Sequence, residues 1–176
     1  PAVQFSSGGR TLSFTIPAGA TQAFTSAPAL QTGTVAGTIR LTATYSATGF
    51  DLTPSPAPST TAQVNRAAPV VQSLQIVRGT SGFEARITGF STPRQATQAQ
   101  FIFSASAQGR LETTSITIPL AAVFNAWYGS PASVPYGSQF LYTQPFTLQG
   151  DASAIASVSV VLTNESGSSP AVSASF

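Results

Sequence analysis

The stretch GFEARITG, residues 82–89, alternates apolar and polar side chains, and this alternation decides the fold class. Phe83, Ala85 and Ile87 fall on one side of an extended chain, because successive side chains of a β-strand point to opposite faces. The residues between them, Glu84 first, fall on the other side. The stretch therefore predicts a strand with one buried face and one exposed face.

The same period of two recurs along most of the chain and predicts an all-β, antiparallel protein. These segments are rich in β-branched and aromatic residues, and clusters of Gly, Pro, Asn and Ser separate them. Many short strands divided by turns indicate a β-sandwich or barrel. Further strands are predicted in TLSFTI (11–16), TIRLTATY (38–45), VVQSLQIV (70–77), AQFIFSA (99–105), TSITIPL (114–120), SQFLYTQPFTL (138–148), SVSVVLT (157–163) and AVSASF (171–176).

One segment, PLAAVFNAWYG at 119–129, carries a helical spacing of apolar residues. Leu120 and Phe124 are four positions apart, and Trp127 and Tyr128 follow at i+7 and i+8. A short crossover helix and a continuation of the preceding strand both fit this pattern. We expect an irregular or one-turn helical connection.

A domain boundary is predicted near residue 66. The segment 53–71 holds four of the 13 prolines, and proline makes a poor central strand but a good extended connector. We therefore predict two domains, 1–66 and 67–176. TAQVNR, residues 61–66, fits the last strand of the first domain. With 66 residues this domain is short for a complete sandwich, and in one interpretation it is truncated at its start. A single domain is the alternative.

Two parts of the sequence resemble known modules. FTIPAGATQAF (14–24) followed by TGTVAGTIRLTATY (32–45) looks like bacterial Ig-like repeats, in which a Gly-Thr turn leads into a long alternating strand. SVSVVLTNESGSSPAVSASF (157–176) resembles the last hairpin of an Ig-like or fibronectin-like sandwich. The resemblance implies two tandem Ig-like antiparallel β-sandwich domains from an exported bacterial protein, either extracellular or on the cell surface. Such families share no catalytic residues.

Composition excludes several classes of function. Charged residues make up 7% of the chain, against roughly 25% in ordinary soluble domains. All seven basic residues are arginines that lie singly, so no basic patch for nucleic acid is present. No apolar run approaches the length that spans a membrane. We expect no nucleic-acid partner, no membrane span in this chain and a monomer in isolation.

The residue types also restrict catalysis. The chain has no His, Cys or Lys, so Ser-His-Asp triads, thiol nucleophiles and Ser-Lys dyads are impossible. Zinc and most transition-metal sites need His or Cys, and the GK[ST] motif of phosphate-binding loops is absent. Paired carboxylates are the surviving option, but the acidic residues are scattered and fit solvated or turn positions. We expect no enzyme, metal site or cofactor. The acidic residues are Asp51, Glu84, Glu112, Asp151 and Glu165.

The stretch FNAWYGSPASVPYGSQFLYTQPF, residues 124–146, holds 7 of the 17 aromatic residues. Phe140, Tyr142 and Phe146 fit the inner face of a strand. Two interpretations fit the first half of the stretch. Its rings pack in the core, or they form a sugar-binding loop, because exposed Trp and Tyr rings stack on sugars. The candidate ligand-binding residues are Trp127, Tyr128, Tyr136, Asn125 and Gln139.

The resulting functional prediction is a non-catalytic structural or adhesive module pair of a larger exported bacterial protein. It would act in surface presentation or protein–protein contact. The alternative is a carbohydrate-binding module that uses the loop from Trp127 to Tyr136. The partner is accordingly expected to be a protein or a glycan.

Overall fold

The structure is a computed structural model that describes residues 3–25, 29–107, 109–150 and 152–176. Every strand pair in it is antiparallel, which confirms the all-β, antiparallel prediction at that level. The helices are α1 (Ala121–Gly129) and two 3-10 helices, Pro131–Tyr136 and Ala152–Ala154. The strands are β1 (Gln4–Phe5), β2 (Leu30–Gln31), β3 (Gly37–Thr42), β4 (Ser46–Ala47), β5 (Phe50–Asp51), β6 (Ser59–Val64), β7 (Val70–Arg78), β8 (Gly82–Phe90), β9 (Gln98–Ala105), β10 (Ser115–Pro119), β11 (Gln139–Thr147), β12 (Ile155–Asn164), β13 (Gly167–Ser168) and β14 (Val172–Ser175).

Two sheets form the second half of the chain. The smaller sheet has the order β11-β8-β7, and the larger has β10-β9-β12, with β13 and β14 both pairing with β12. The hairpin from β12 through β13 turns at Glu165 and Ser166. β11 is an edge strand that pairs only with β8 among the described residues, and it contains Pro145.

The core lies between these two sheets, an arrangement compatible with a β-sandwich, and the two sheets are called the sandwich below. Phe83, Ala85 and Ile87 of β8 are all buried, as their alternation predicts. Phe101 of β9 meets the ring of Phe146 of β11 with centroids 5.0 Å apart. Aromatic rings from both sheets therefore interdigitate in an edge-to-face arrangement. The larger sheet contributes Ala99, Phe101, Phe103, Val158, Val160 and Leu162 to this core.

Helix α1 connects β10 of the larger sheet to β11 of the smaller one. It has nine residues, so the expected one-turn connection is too short. Phe124 and Tyr128, together with Leu120 just before the helix, lie on one side of it and are buried. The Phe124 and Phe140 rings are 5.0 Å apart, so this face packs against the sandwich core. Burial of that face stabilises a full helix, since isolated short helices are marginal in water.

The first half of the chain is organised differently. Its described residues, 3–25 and 29–66, form three separate two-stranded sheets, β1-β2, β3-β6 and β4-β5, and none of these residues is buried. The predicted strand at 11–16 is wrong, because only Thr15 forms a bridge, to Phe24. The alternating face there has no continuous partner strand to supply a ladder. The predicted strand at 61–66 lies within β6 as far as Val64.

The two halves are joined by hydrogen bonds near the predicted boundary. Thr92 Oγ1 donates to the carbonyl of Asn65 at 3.1 Å and accepts a hydrogen bond from the Ala67 amide at 3.0 Å. The Arg66 guanidinium lies 3.0 Å from Glu165 in an exposed ion pair. The segment that follows β6 is thus fastened to the sandwich, and the division at residue 66 stays a prediction.

Candidate functional site

An aromatic corner forms where α1 ends and β11 begins; it consists of Trp127, Tyr136 and Gln139. The Trp127 and Tyr136 rings are 5.8 Å apart with an interplanar angle of 45°. The Trp127 Nε1 group donates to the carbonyl of Gln139 at 3.3 Å. Three of the five sequence-predicted ligand residues are therefore brought together.

Local turns bring these residues together. Ser130 ends α1 and caps the following 3-10 helix, since its Oγ accepts a hydrogen bond from the Ala132 amide at 3.2 Å. Pro131 stands at the start of that helix, where its missing N–H costs nothing. Gly137 then takes a φ of 61°, a conformation that glycine adopts without strain, and leads the chain into β11.

The aromatic corner is open to solvent. Tyr136 is 52% exposed, and Trp127 is half-buried with its indole N–H already satisfied. Gln139 has an exposed side chain, so its amide is free to face a ligand. Asn125 is also exposed, but it precedes Trp127 by two helical positions, which places it about 200° around the helix. Asn125 therefore lies away from the aromatic corner.

Tyr128 does not belong to this surface. It is 9% exposed, and its hydroxyl donates to the carbonyl of Ser138 at 2.5 Å. Burial raises the pKa of the Tyr128 hydroxyl above its ordinary value, although the nearby Arg94 guanidinium acts in the opposite direction. The sequence set Tyr128 beside Trp127 as a candidate ligand residue, whereas the structure places it in the core with its polar tip bonded internally.

Arg94 binds residues next to the aromatic corner on its core side, and the sequence did not indicate this role. Its Nη2 donates to the carbonyl of Tyr128 at 2.7 Å and to Ser133 Oγ at 2.6 Å. Its guanidinium also lies 5.1 Å from the centre of the Tyr128 ring. A cation at the C-terminal end of a helix is stabilised by the helix dipole. Arg94 has a φ of 56°, and a lone arginine in a loop gives no sequence signal for this role.

Exposed apolar side chains extend the aromatic corner along α1 and β11. Val123 lies one helical turn before Trp127, and Leu141 lies two positions after Gln139 on the same face of its strand. Val134, in the 3-10 helix, is exposed as well. An exposed apolar surface with amide groups at its margin is typical of recognition sites.

The carboxylates in the described part of the chain occupy structural or solvated positions. Asp51 accepts a hydrogen bond from the Thr53 amide at 2.8 Å, and contact with Thr53 lowers the pKa of its carboxyl group. Glu84 pairs with Arg86 on the exposed face of β8. Asp151 lies outside the described residues.

Within the described ranges, no three His, Cys, Asp or Glu side chains gather in a group that would suit a metal ion. In the same ranges, no helix has the length and hydropathy needed to cross a membrane.

No protein-family model matches the chain, and no curated protein matches it either.

Proposed function

We propose that this chain is a non-catalytic structural or adhesive unit built from Ig-like β-sandwich modules. In this proposal it belongs to a larger exported bacterial protein and acts in surface presentation or protein–protein contact. The strand order of the second half is the observation that carries the proposal.

That order supports an Ig-like assignment of residues 67–176. In Ig-like sandwiches strands A, B and E share one sheet, and strands C, F and G share the other. Here β7, β8 and β11 form one sheet, and β9, β12 and β14 lie in the other, with β10 added at its edge. Modules of this kind present loops and strand edges on a rigid scaffold.

The first half offers a surface for protein contact. β3 and β6 pair only with each other in the described part of the chain, so each leaves one edge without a strand partner. An extended segment of another protein would add to such an edge through main-chain hydrogen bonds. Exposed Phe24, Phe50 and Leu52 supply apolar area in the same half.

Surface presentation is tested on source cells. Antibodies raised against the purified chain should label intact cells, and external protease should abolish that label. Labelling that appears only after lysis contradicts the proposal.

Protein contact is tested by photocrosslinking in the same cells. A photoreactive residue replacing Thr38 on β3 should crosslink to a protein partner. The matched control replaces Gln100, which is also exposed but lies on β9 between two strands that occupy both edges. Equal crosslinking from both positions, or none from Thr38, contradicts strand addition.

A second candidate function is binding of a neutral carbohydrate at the aromatic corner. The observation that favours it is the half-exposed ring pair of Trp127 and Tyr136, with the Gln139 amide beside it. The apolar face of a sugar ring packs on an aromatic ring, and an amide hydrogen-bonds its hydroxyls. Arg94 and Tyr128 hold this arrangement from the core side.

Substitution of Trp127 tests the second candidate. Trp127→Ala should weaken binding to the recognised neutral polysaccharide by at least about tenfold, since buried aromatic anchors dominate binding energy. Affinity electrophoresis on a panel of neutral polysaccharides measures this. Trp127→Phe keeps a ring and should retain part of the binding. Phe50→Ala removes an exposed ring elsewhere and should change nothing. Absence of binding across the panel, or equal loss with Phe50→Ala, would exclude this function.

A further inference from the structure

A cleft of about 650 Å³ lies in the first half of the chain, far in sequence from the aromatic corner. Its walls come from residues 5–14, from the end of β3 with the residues after it, and from the start of β6. Two arginines, Arg10 and Arg40, are among the residues that line this cleft, and no Asp or Glu is found among them. We name it the arginine cleft.

Both arginines are available to a ligand. The described residues form two ion pairs, Arg66 with Glu165 and Arg86 with Glu84, and neither involves Arg10 or Arg40. The Nη2 atom of Arg40 donates to Ser59 Oγ at 3.0 Å, which orients the planar group at the cleft wall. The sequence of residues 1–66 holds one carboxylate, Asp51, and Asp51 is not among the residues that line the cleft.

The other walls of the arginine cleft carry two further kinds of group. Leu12 and Phe14 present half-buried apolar surface, and the Phe14 ring is held edge-on against Tyr45 with centroids 5.8 Å apart. Hydroxyl groups make up much of the remaining wall. They belong to Thr11, Thr42, Thr44, Ser59 and Thr60.

We propose that the arginine cleft binds a carboxylate-bearing saccharide, such as a uronate unit of an acidic polysaccharide. A guanidinium binds a carboxylate through two parallel hydrogen bonds, which makes arginine the suitable residue for this group. The Phe14 ring packs on the apolar face of the sugar, and the threonine and serine hydroxyls bind its hydroxyl groups. This site is independent of the proposed function and of the aromatic corner.

A nucleic acid is the less suitable anion for the cleft. Binding to a phosphate backbone relies on many basic contacts along a stripe or patch. The chain has a net charge of +2, and its seven arginines lie singly. Two guanidiniums beside hydroxyls and rings match one charged sugar unit better than a polyanionic backbone.

The test uses the full chain, with oligogalacturonate as the probe and its methyl ester as the uncharged matched ligand. Calorimetry should detect binding of the acid and much weaker binding of the ester. Arg40→Gln and Arg10→Gln should each weaken binding by about tenfold or more, because each removes a charge-assisted hydrogen-bonding group. Arg110→Gln removes the same charge from an exposed position outside the cleft and should leave affinity unchanged.

Two further readouts locate the site. In amide NMR spectra of the wild type, oligogalacturonate should shift the signals of residues 40–44 and 59–60, a readout that does not depend on any variant. Trp127→Ala should bind the acid as well as the wild type does. The proposal is overturned if the wild type does not bind, if Arg110→Gln weakens binding as much as Arg40→Gln, if single-stranded DNA binds equally well, or if the shifts fall outside the cleft.

Discussion

Phe101→Ala is expected to lower the free energy of unfolding of the sandwich by about 4 kcal/mol. Phe101 is fully buried on β9 and meets the ring of Phe146 from the opposite sheet. Truncation removes that contact and leaves a cavity between the two sheets, which the surrounding strands fill only in part. Urea unfolding of the full chain, followed by the fluorescence of Trp127, measures the loss.

The neighbouring residue provides the control. Ile102 is the next residue of the same strand, on its opposite face, and is 38% exposed. Ile102→Ala should therefore cost less than about 1 kcal/mol, in line with the small effects of surface substitutions. Equal losses from the two variants would show that β9 does not have one buried and one exposed face.

Asn164→Ala is expected to lower the free energy of unfolding by about 3 kcal/mol, because it removes three hydrogen bonds made by one buried side chain, each contributing about 1 kcal/mol. Asn164 is 4% exposed and sits at the end of β12. Its Nδ2 donates to the Ala67 carbonyl at 2.8 Å and to Ser91 Oγ at 3.1 Å. Its Oδ1 accepts from the Ser166 amide at 2.8 Å, which fixes the hairpin turn.

Thermal unfolding and amide hydrogen exchange measure this second effect. The melting temperature should fall, and amides in the β12–β13 hairpin and near Ala67 should lose protection. Asn125→Ala is the matched control, since Asn125 is exposed and should change stability by less than about 0.5 kcal/mol. The role given to Asn164 is contradicted if the melting temperature falls but the amides of the β12–β13 hairpin keep the same protection relative to those of other strands.

The sandwich strands were predictable because burial there follows the period of two closely. In β8 and β12 the alternating apolar residues are the ones that the facing sheet covers. The same period misled at residues 11–16, where Leu12 and Phe14 line an open cleft instead of a sheet interface. Alternation reports which side of a chain is apolar, and it does not report whether a neighbouring strand is present.

The candidate site was predictable only in part. The concentration of rings around Trp127 and Tyr136 indicated the right loop, and the structure brings these two rings together. Spacing alone did not separate Trp127 from Tyr128, because adjacent helical positions differ by about 100° and the facing sheet decides which is buried. Arg94 was beyond sequence reasoning, since its contacts join residues 34 and 39 positions away.

The proline in β11 has a consequence for how this charge-poor molecule behaves at high concentration. β11 is a nine-residue edge strand, and such an edge is a template for cross-β aggregation. Pro145 has no N–H, so an incoming chain is denied one backbone donor along β11. β3 and β6 contain no proline. Accidental fibril growth is thereby disfavoured at the β11 edge, and intermolecular strand pairing is directed towards the proline-free edges of β3, β6 and β7.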